Sequence, residues 1–171
     1  MTDSAPIKTE IDIEDLIQKH SNTVYRLAYA RTKNKADAED LFQKVFLRFL
    51  KSNIQFKDDE HCKAWLIRVT INCGKNLLAS MWRKKAILTE DPPEASGENN
   101  NIHWDDKSEI YYAVMDLPEK YRIVVHLFYY EDYSVKEIAQ ILHRKESTVK
   151  IHLYRARQLL KSKLKGEYDY V

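Results

Sequence analysis

A chain of 171 residues has room for one domain or two small ones, and a net charge of +2 implies no partner until the charges are mapped. Met1 to Glu10 has no apolar core and no run is long enough to span a membrane, so neither a secretory signal nor a transmembrane helix is expected, and the location reads as cytoplasmic. Cys62 and Cys73 form no spacing pattern and read as two reduced thiols, while His61 beside Cys62 lacks the second ligand pair a metal site needs.

Only three glycines and four prolines occur and no run keeps a period of two, which predicts an all-α chain. Helices are expected at about residues 13–33, 35–51 and 60–85. In the second, Ala38, Leu41, Phe42, Val45 and Phe49 form an apolar stripe, while Phe46, Leu47 and Leu50 lie on the other side beside Asp40 and Gln43. A helix apolar on two sides is either buried in a bundle or partly reserved for a partner, and both readings stay open. In the third, Leu66, Ile67, Thr70, Leu77 and Leu78 lie on one side, and Arg68, Asn72, Lys75, Asn76 and Arg83 track along the other. A basic stripe bearing amides suits a nucleic-acid backbone and exposed base edges. A merely solvated face would mix both signs, and this segment has no acid between Lys63 and Lys85. Trp82, next to Arg83, could stack on a base or pack in a core; Trp65 reads as core.

Asp91 to Asp106 holds Pro92, Pro93, Gly97 and three successive asparagines, which is linker chemistry. From Asp91 to Glu119 there are eight acids and one base, between two basic lobes. Two small helical domains, 1–85 and 108–171, joined by a flexible acidic linker over 86–107, account for this pattern. Modules of this size bury little area and gain from partner contacts. In the second domain helices are expected over residues 108–115 and 118–130, with Asp116 and Glu119 favouring the start of the latter.

The last third carries the sharpest signal. Ser134 and Glu137 form a capping box, and Val135, Ile138, Ala139 and Leu142 follow at helical spacing. After a short basic turn, Val149, Leu153, Ala156 and Leu160 fall on one face of a second helix, and Lys150, Ile151, Tyr154, Arg155 and Gln158 on the other. Between His143 and Lys165 there are eight Lys and Arg against one acid. Two short amphipathic helices with a tight connection make a helix-turn-helix, whose second helix enters the DNA major groove.

Asp37 to Phe49 (DAEDLFQKVFLRF) and Ala64 to Asn72 (AWLIRVTIN) resemble region 2 of extracytoplasmic-function (ECF) sigma factors, the small promoter-specificity subunits of bacterial RNA polymerase. Leu117 to Arg122 (LPEKYR), Tyr133 to Ala139 (YSVKEIA), Ser147 to Lys150 (STVK) and Tyr154 to Arg157 (YRAR) resemble region 4. The order, spacing and length fit over all but the first ten or so residues and the linker.

The resemblance implies a non-enzymatic factor with no cofactor, metal or small-molecule substrate. Region 4 would read the upstream (−35) promoter element through Ser147, Thr148, Lys150, Ile151, His152, Tyr154, Arg155 and Gln158. Region 2 would capture opened −10 bases of the non-template strand with Arg68, Asn72, Lys75, Asn76 and Arg83, Asn72 standing at the family's base-pocket position. Asp40, Gln43, Lys44 and Leu47 would dock on the clamp helices of the polymerase largest subunit, and region 4 on its flap. The acidic linker would thread near the active-site cleft, and an anti-sigma factor, often membrane-bound, would be a further partner.

The sequence also departs from the family. Lys44 stands where an acid is usual, His143 replaces a turn glycine, Arg144 an apolar turn residue, and Ser147 a glycine at a position where serine can cap the helix. Ile151 replaces a small polar residue, and its side chain suits a thymine methyl. Two other classes fit less of the chain. A dimeric helix-turn-helix regulator would need a sensing motif or a dimer seam. A DNA-processing enzyme would need clustered carboxylates, a phosphate loop or a nucleophile–base pair.

Overall fold

The computed structural model describes residues 10–88 and 108–168, and every regular element among them is helical. The expected linker falls, apart from residues 86–88, outside the described residues; so do the side chains of Leu78, Trp82 and Arg83.

The first module is three helices. α1 (Glu10–Thr32) ends at Lys33, whose φ of 56° is left-handed, and Asn34 then caps α2 (Lys35–Lys51) by accepting a 3.1 Å hydrogen bond from the Asp37 N–H. This short connection folds α2 back along α1, an economical way to join two helices. α3 (Asp59–Leu88) closes the bundle, its start tied to α1 because Asp59 meets both Lys19 and His20 at 2.8 Å. The core holds Leu16, Val24, Leu41, Val45, Phe49 and Leu66, with Cys62 and Cys73 buried as thiols outside any disulfide. Phe56, from the loop before α3, stacks on Phe49 at 6.0 Å and meets Trp65 edge-on at 5.7 Å, so Trp65 packs against the core as expected.

The second module begins with α4 (Glu109–Met115), capped by Ser108, and α5 (Glu119–Val125). The buried Arg122 donates to the carbonyls of Met115 and Leu117 at 3.0 and 3.2 Å, and so holds the α4–α5 turn. The helix expected to run to residue 130 changes character at His126. Residues His126–Tyr130 form a π-helical turn, in which the Glu131 N–H reaches back to the His126 carbonyl at 3.2 Å. Asp132, at φ 56°, then turns the chain into α6 (Val135–Leu142), and α7 (Glu146–Tyr168) follows.

The two modules are packed together. One hydrophobic cluster contains Leu27 of α1 and Ile67 and Ile71 of α3 together with Ile123, Val124, Leu127, Ile138, Val149 and Leu153 of the second module. At its edge Lys63 Nζ lies 3.3 Å from Glu131 Oε2 and 5.4 Å from the centre of the Tyr133 ring. His126 Nε2 lies 3.6 Å from the other carboxylate oxygen.

Burial opposes the charge of Glu131, yet the His126 ring and the Lys63 ammonium outweigh it and hold the carboxyl below its usual range. A carboxyl lowered on folding stabilises the fold above its unfolded pKa and loses that contribution as the pH falls through its folded value. Glu131→Gln is therefore expected to be less stable than wild type in urea unfolding at pH 7. The gap should narrow below about pH 4.5, the ordinary glutamate value. A gap independent of pH would mean that the charge contributes nothing.

Candidate nucleic-acid interface

The helix-turn-helix is fixed by local chemistry at each corner. The Ser134 N–H donates to Glu137 Oε2 at 2.8 Å, and the Glu137 N–H donates to Ser134 Oγ at 3.2 Å, which is the capping box expected from the sequence. Hydrogen bonding from the Ser134 backbone N–H, and then from its hydroxyl, holds the Glu137 carboxyl below its usual value. His143 has φ 52° and ψ 47°, so the residue in the glycine position does adopt the left-handed conformation, and the Arg144 N–H closes the turn on the Ala139 carbonyl at 2.9 Å. Ile138, Ala139 and Ile141 are buried, with Val135 and Leu142 partly so. α7 begins at Glu146, which puts Ser147 inside the first turn, not at the cap.

Val149, Leu153 and Ala156 anchor α7 in the core, and the opposite face is open. Ser147, Lys150, Arg155 and Gln158 are exposed, Thr148 partly so, and two large apolar side chains stand among them, Ile151 at 50% exposure and Tyr154 at 62%. His152 is half-buried and meets the Tyr121 ring edge-on at 5.5 Å. Burial, then the charges of Lys120, Arg144 and Arg155, lower its pKa. Its place is at the α5 side of the reading face.

Lys120 is the contributor that the sequence reading missed. Its ammonium lies 5.0 Å from the centre of the Tyr121 ring, and Arg155 and Lys120 together draw the Tyr121 phenol below its usual pKa. Nothing in local sequence links a lysine on α5 with α7; only the packed fold brings them together.

α3 divides into three strips. Leu66, Val69 and Cys73 face the first core, Ile67 and Ile71 face the second module, and Asn72, Lys75 and Asn76 are exposed. Arg68 is half-buried beside them, with a buried Nε that has no partner among the described residues. Arg83 falls on the same helix, but its side chain lies outside the described residues.

On α2 the second apolar face is split. Phe46 is buried in the core, whereas Leu47 and Leu50 are 53% and 51% exposed, beside the exposed Asp40, Gln43 and Lys44. Three open faces of different chemistry therefore lie on one chain: a mixed apolar and polar one on α2, an amide and basic one on α3, and a basic and apolar one on α7.

The model of sigma-70 region 2 matches residues 12–85 and that of sigma-70 region 4 matches residues 107–160. Bacillus subtilis SigM, an ECF RNA polymerase sigma factor, is 32% identical over 155 residues, which span 88% of this chain and 93% of SigM. The chain belongs to the ECF sigma factor family. Bacillus subtilis SigV, an RNA polymerase sigma factor, is 28% identical over 151 residues, covering 88% of this chain and 90% of SigV. Among solved structures, sigma factor RpoE of Bartonella quintana, bound to the anti-sigma factor NepR, has a TM-score of 0.69 at 19% identity, over 90% of this chain and 97% of that one. CnrH, bound to the cytosolic domain of CnrY, has a TM-score of 0.62 at 18% identity, over 92% and 90%. These two likenesses concern the fold. Like the rest of the ECF family the chain is a transcription initiation factor and not an enzyme, and among the described residues no helix is long and apolar enough to cross a membrane.

The capping box is the local device that presents this sigma factor's reading helix. Ser134→Ala should lower the stability of the second module by about 1 kcal/mol in chemical unfolding. An unchanged midpoint would show that the start of α6 is fixed by packing alone.

Proposed function

We propose that this sigma factor directs RNA polymerase through its three open faces. Residues 1–85 bind core polymerase and open the downstream element, 86–107 connect the modules near the active-site cleft, and 108–171 bind the upstream element. Asp40, Gln43, Lys44 and Leu47 dock on the clamp helices of the largest subunit; the exposure of Leu47 and Leu50 on a helix whose other large apolar side chains are buried or half-buried supports this role. Where related factors carry an acid, Lys44 gives the contact a positive charge. Region 4 docks on the flap.

Asn72, flanked by Arg68, Lys75, Asn76 and Arg83, takes an unpaired −10 base, its exposed amide offering both a donor and an acceptor to a base edge. Capture of a base provides about 1–3 kcal/mol, comparable with about 1.4 kcal/mol for a base-pair step. Promoter opening thus needs positioning and no covalent chemistry. On α7, Lys150 and Arg155 hold the duplex, with Ser147, Thr148 and Gln158 around them, while Ile151 and Tyr154 present apolar surface to base edges and His152 borders the face. An anti-sigma factor is the further partner, as RpoE has one in a similar structure. The site of action is the cytoplasm, at the inner face of the membrane where that partner is membrane-bound.

The observation that carries this reading is the joint presence of the exposed α2, α3 and α7 faces on one chain that matches both sigma regions. Run-off transcription with purified core polymerase tests it: discrete start sites should appear only when this protein is added, and their absence would refute it. On such a promoter, Ile151→Ser should relax a preference for thymine at one −35 position with little loss of overall affinity, and an unchanged base preference would remove that role. Lys150→Ala should instead weaken binding about equally on all sequences and reduce the slope of log K against log salt by about 1.

A further inference from the structure

Cationic side chains from separate parts of region 4 converge on one tyrosine. Tyr121 of α5 is only 7% exposed. Lys120 Nζ lies 5.0 Å from the centre of its ring, and His152 of α7 meets the ring edge-on at 5.5 Å. The Arg155 side chain hydrogen-bonds to the phenol, and this contact, ahead of the Lys120 charge, draws the phenol below its usual pKa. Arg144, in the turn before α7, acts on His152 together with Lys120 and Arg155.

The cluster holds no balancing carboxylate. Lys120, Arg144 and Arg155 are all exposed, and among the described residues no acid pairs with any of them. Glu119, beside Lys120 in sequence, pairs with Arg31 instead. Gathering like charges costs free energy unless an anion offsets it. A planar guanidinium beside a compact ammonium is the donor set that suits phosphate oxygens. The position of the cluster favours one source of phosphate. It borders the α7 face on which Ile151 and Tyr154 stand exposed, and a helix seated in a major groove has backbone phosphates on either side of it. A helix-turn-helix meets DNA through its own two helices, here α6 and α7. Lys120 lies outside that motif, on α5.

We propose that Lys120 and Arg155, bordered by His152, form a phosphate-binding site that takes a backbone phosphate of the upstream-element duplex, with Tyr121 as the residue that positions Arg155 for it. The site rests on the DNA-facing reading of α7 and extends that face to α5. A DNA phosphodiester and a free phosphoryl anion share this chemistry, and the test separates them.

The full chain, titrated with duplex DNA of mixed sequence at low salt, tests the proposal, with circular dichroism as a control for helix content. A phosphate contact is independent of sequence, so Lys120→Ala should reduce the slope of log K against log salt by about 1. Tyr121→Phe keeps the ring and loses the hydroxyl, and should weaken binding about threefold or more. It should have no effect once Arg155 is alanine, because it acts through that side chain. An anion at the site also offsets the charges that, after burial, lower the His152 pKa, so binding should draw a proton onto the ring. Duplex affinity should therefore rise more steeply for wild type than for His152→Gln as the pH falls from about 8 to about 6. A wild type that binds no duplex, an unchanged slope for Lys120→Ala, effects of Tyr121→Phe and Arg155→Ala that add, or equal pH profiles would each overturn the proposal. Should Tyr121→Phe lose helix content, Lys120→Ala decides alone. Inorganic pyrophosphate is the second probe. If it shifts the His152 ring resonance in NMR spectra while Lys120→Ala keeps the wild-type slope on DNA, the anion is a free one and the DNA assignment falls. Run-off transcription with the same proteins keeps the two readings apart. Transcription together with an unchanged slope for Lys120→Ala removes the phosphate site only, and a reduced slope without transcription removes the sigma reading only.

Discussion

The shared apolar seam is the constraint on which the rest of this structure depends. Each module is small, and Ile67 and Ile71 on α3 and Leu27 on α1 point away from the first core. Left in water they would expose a large apolar strip; packed on Ile123, Leu127 and Ile138 each contributes about 1.5–3 kcal/mol, an upper estimate. Lys63 with Glu131 and Arg31 with Glu119 flank the strip. Buried ion pairs add less net stability than orientation, because most of their attraction is offset by desolvation. The apolar contact therefore brings the modules together, and the charged contacts set their angle.

That angle leaves the working surfaces free. The exposed strip of α3, the open face of α7 and the Leu47–Leu50 edge of α2 all remain accessible while the modules are docked. Such an arrangement favours electrostatic approach to nucleic acid or polymerase before any rearrangement, since phosphate contacts act at range and base contacts only at close quarters. The mixture on α7 follows the same division. In the proposed complex Lys150 and Arg155 would supply affinity that depends on salt, and Ile151 and Tyr154, both exposed, would supply apolar surface that discriminates only in contact with a base edge.

Much of this was legible in the sequence because it rests on short-range chemistry. The bounds of α2, the capping box at Ser134 and Glu137, the left-handed turn at His143 and the two faces of α7 all follow from residues within one or two turns of each other. Features that depend on contacts distant in sequence were not. Periodicity marks Ile67 as apolar but cannot say that it faces a different module from its neighbour Leu66. The same blindness hid the buried Arg31, whose place at a helix end suggests a solvated charge, and the approach of Lys120 to the α7 face. The π-helical turn at His126–Tyr130 escaped because its pattern differs by a single residue from an α-helix and is closed by the Glu131 N–H on the His126 carbonyl at 3.2 Å. On α2, Phe46 and Leu47 are adjacent and both apolar, and only packing sends one inward and leaves the other exposed.

The central claim is that one chain with two DNA-facing modules opens a promoter by taking up unpaired bases on α3. Permanganate probing of thymines in a promoter incubated with core polymerase, this protein and its Asn72→Ala variant tests it most directly. The account predicts reactive thymines in the −10 element only when core and wild-type protein are both present, and markedly weaker reactivity with the variant. Protection of the duplex without core, and no reactive thymine with it, would contradict the account.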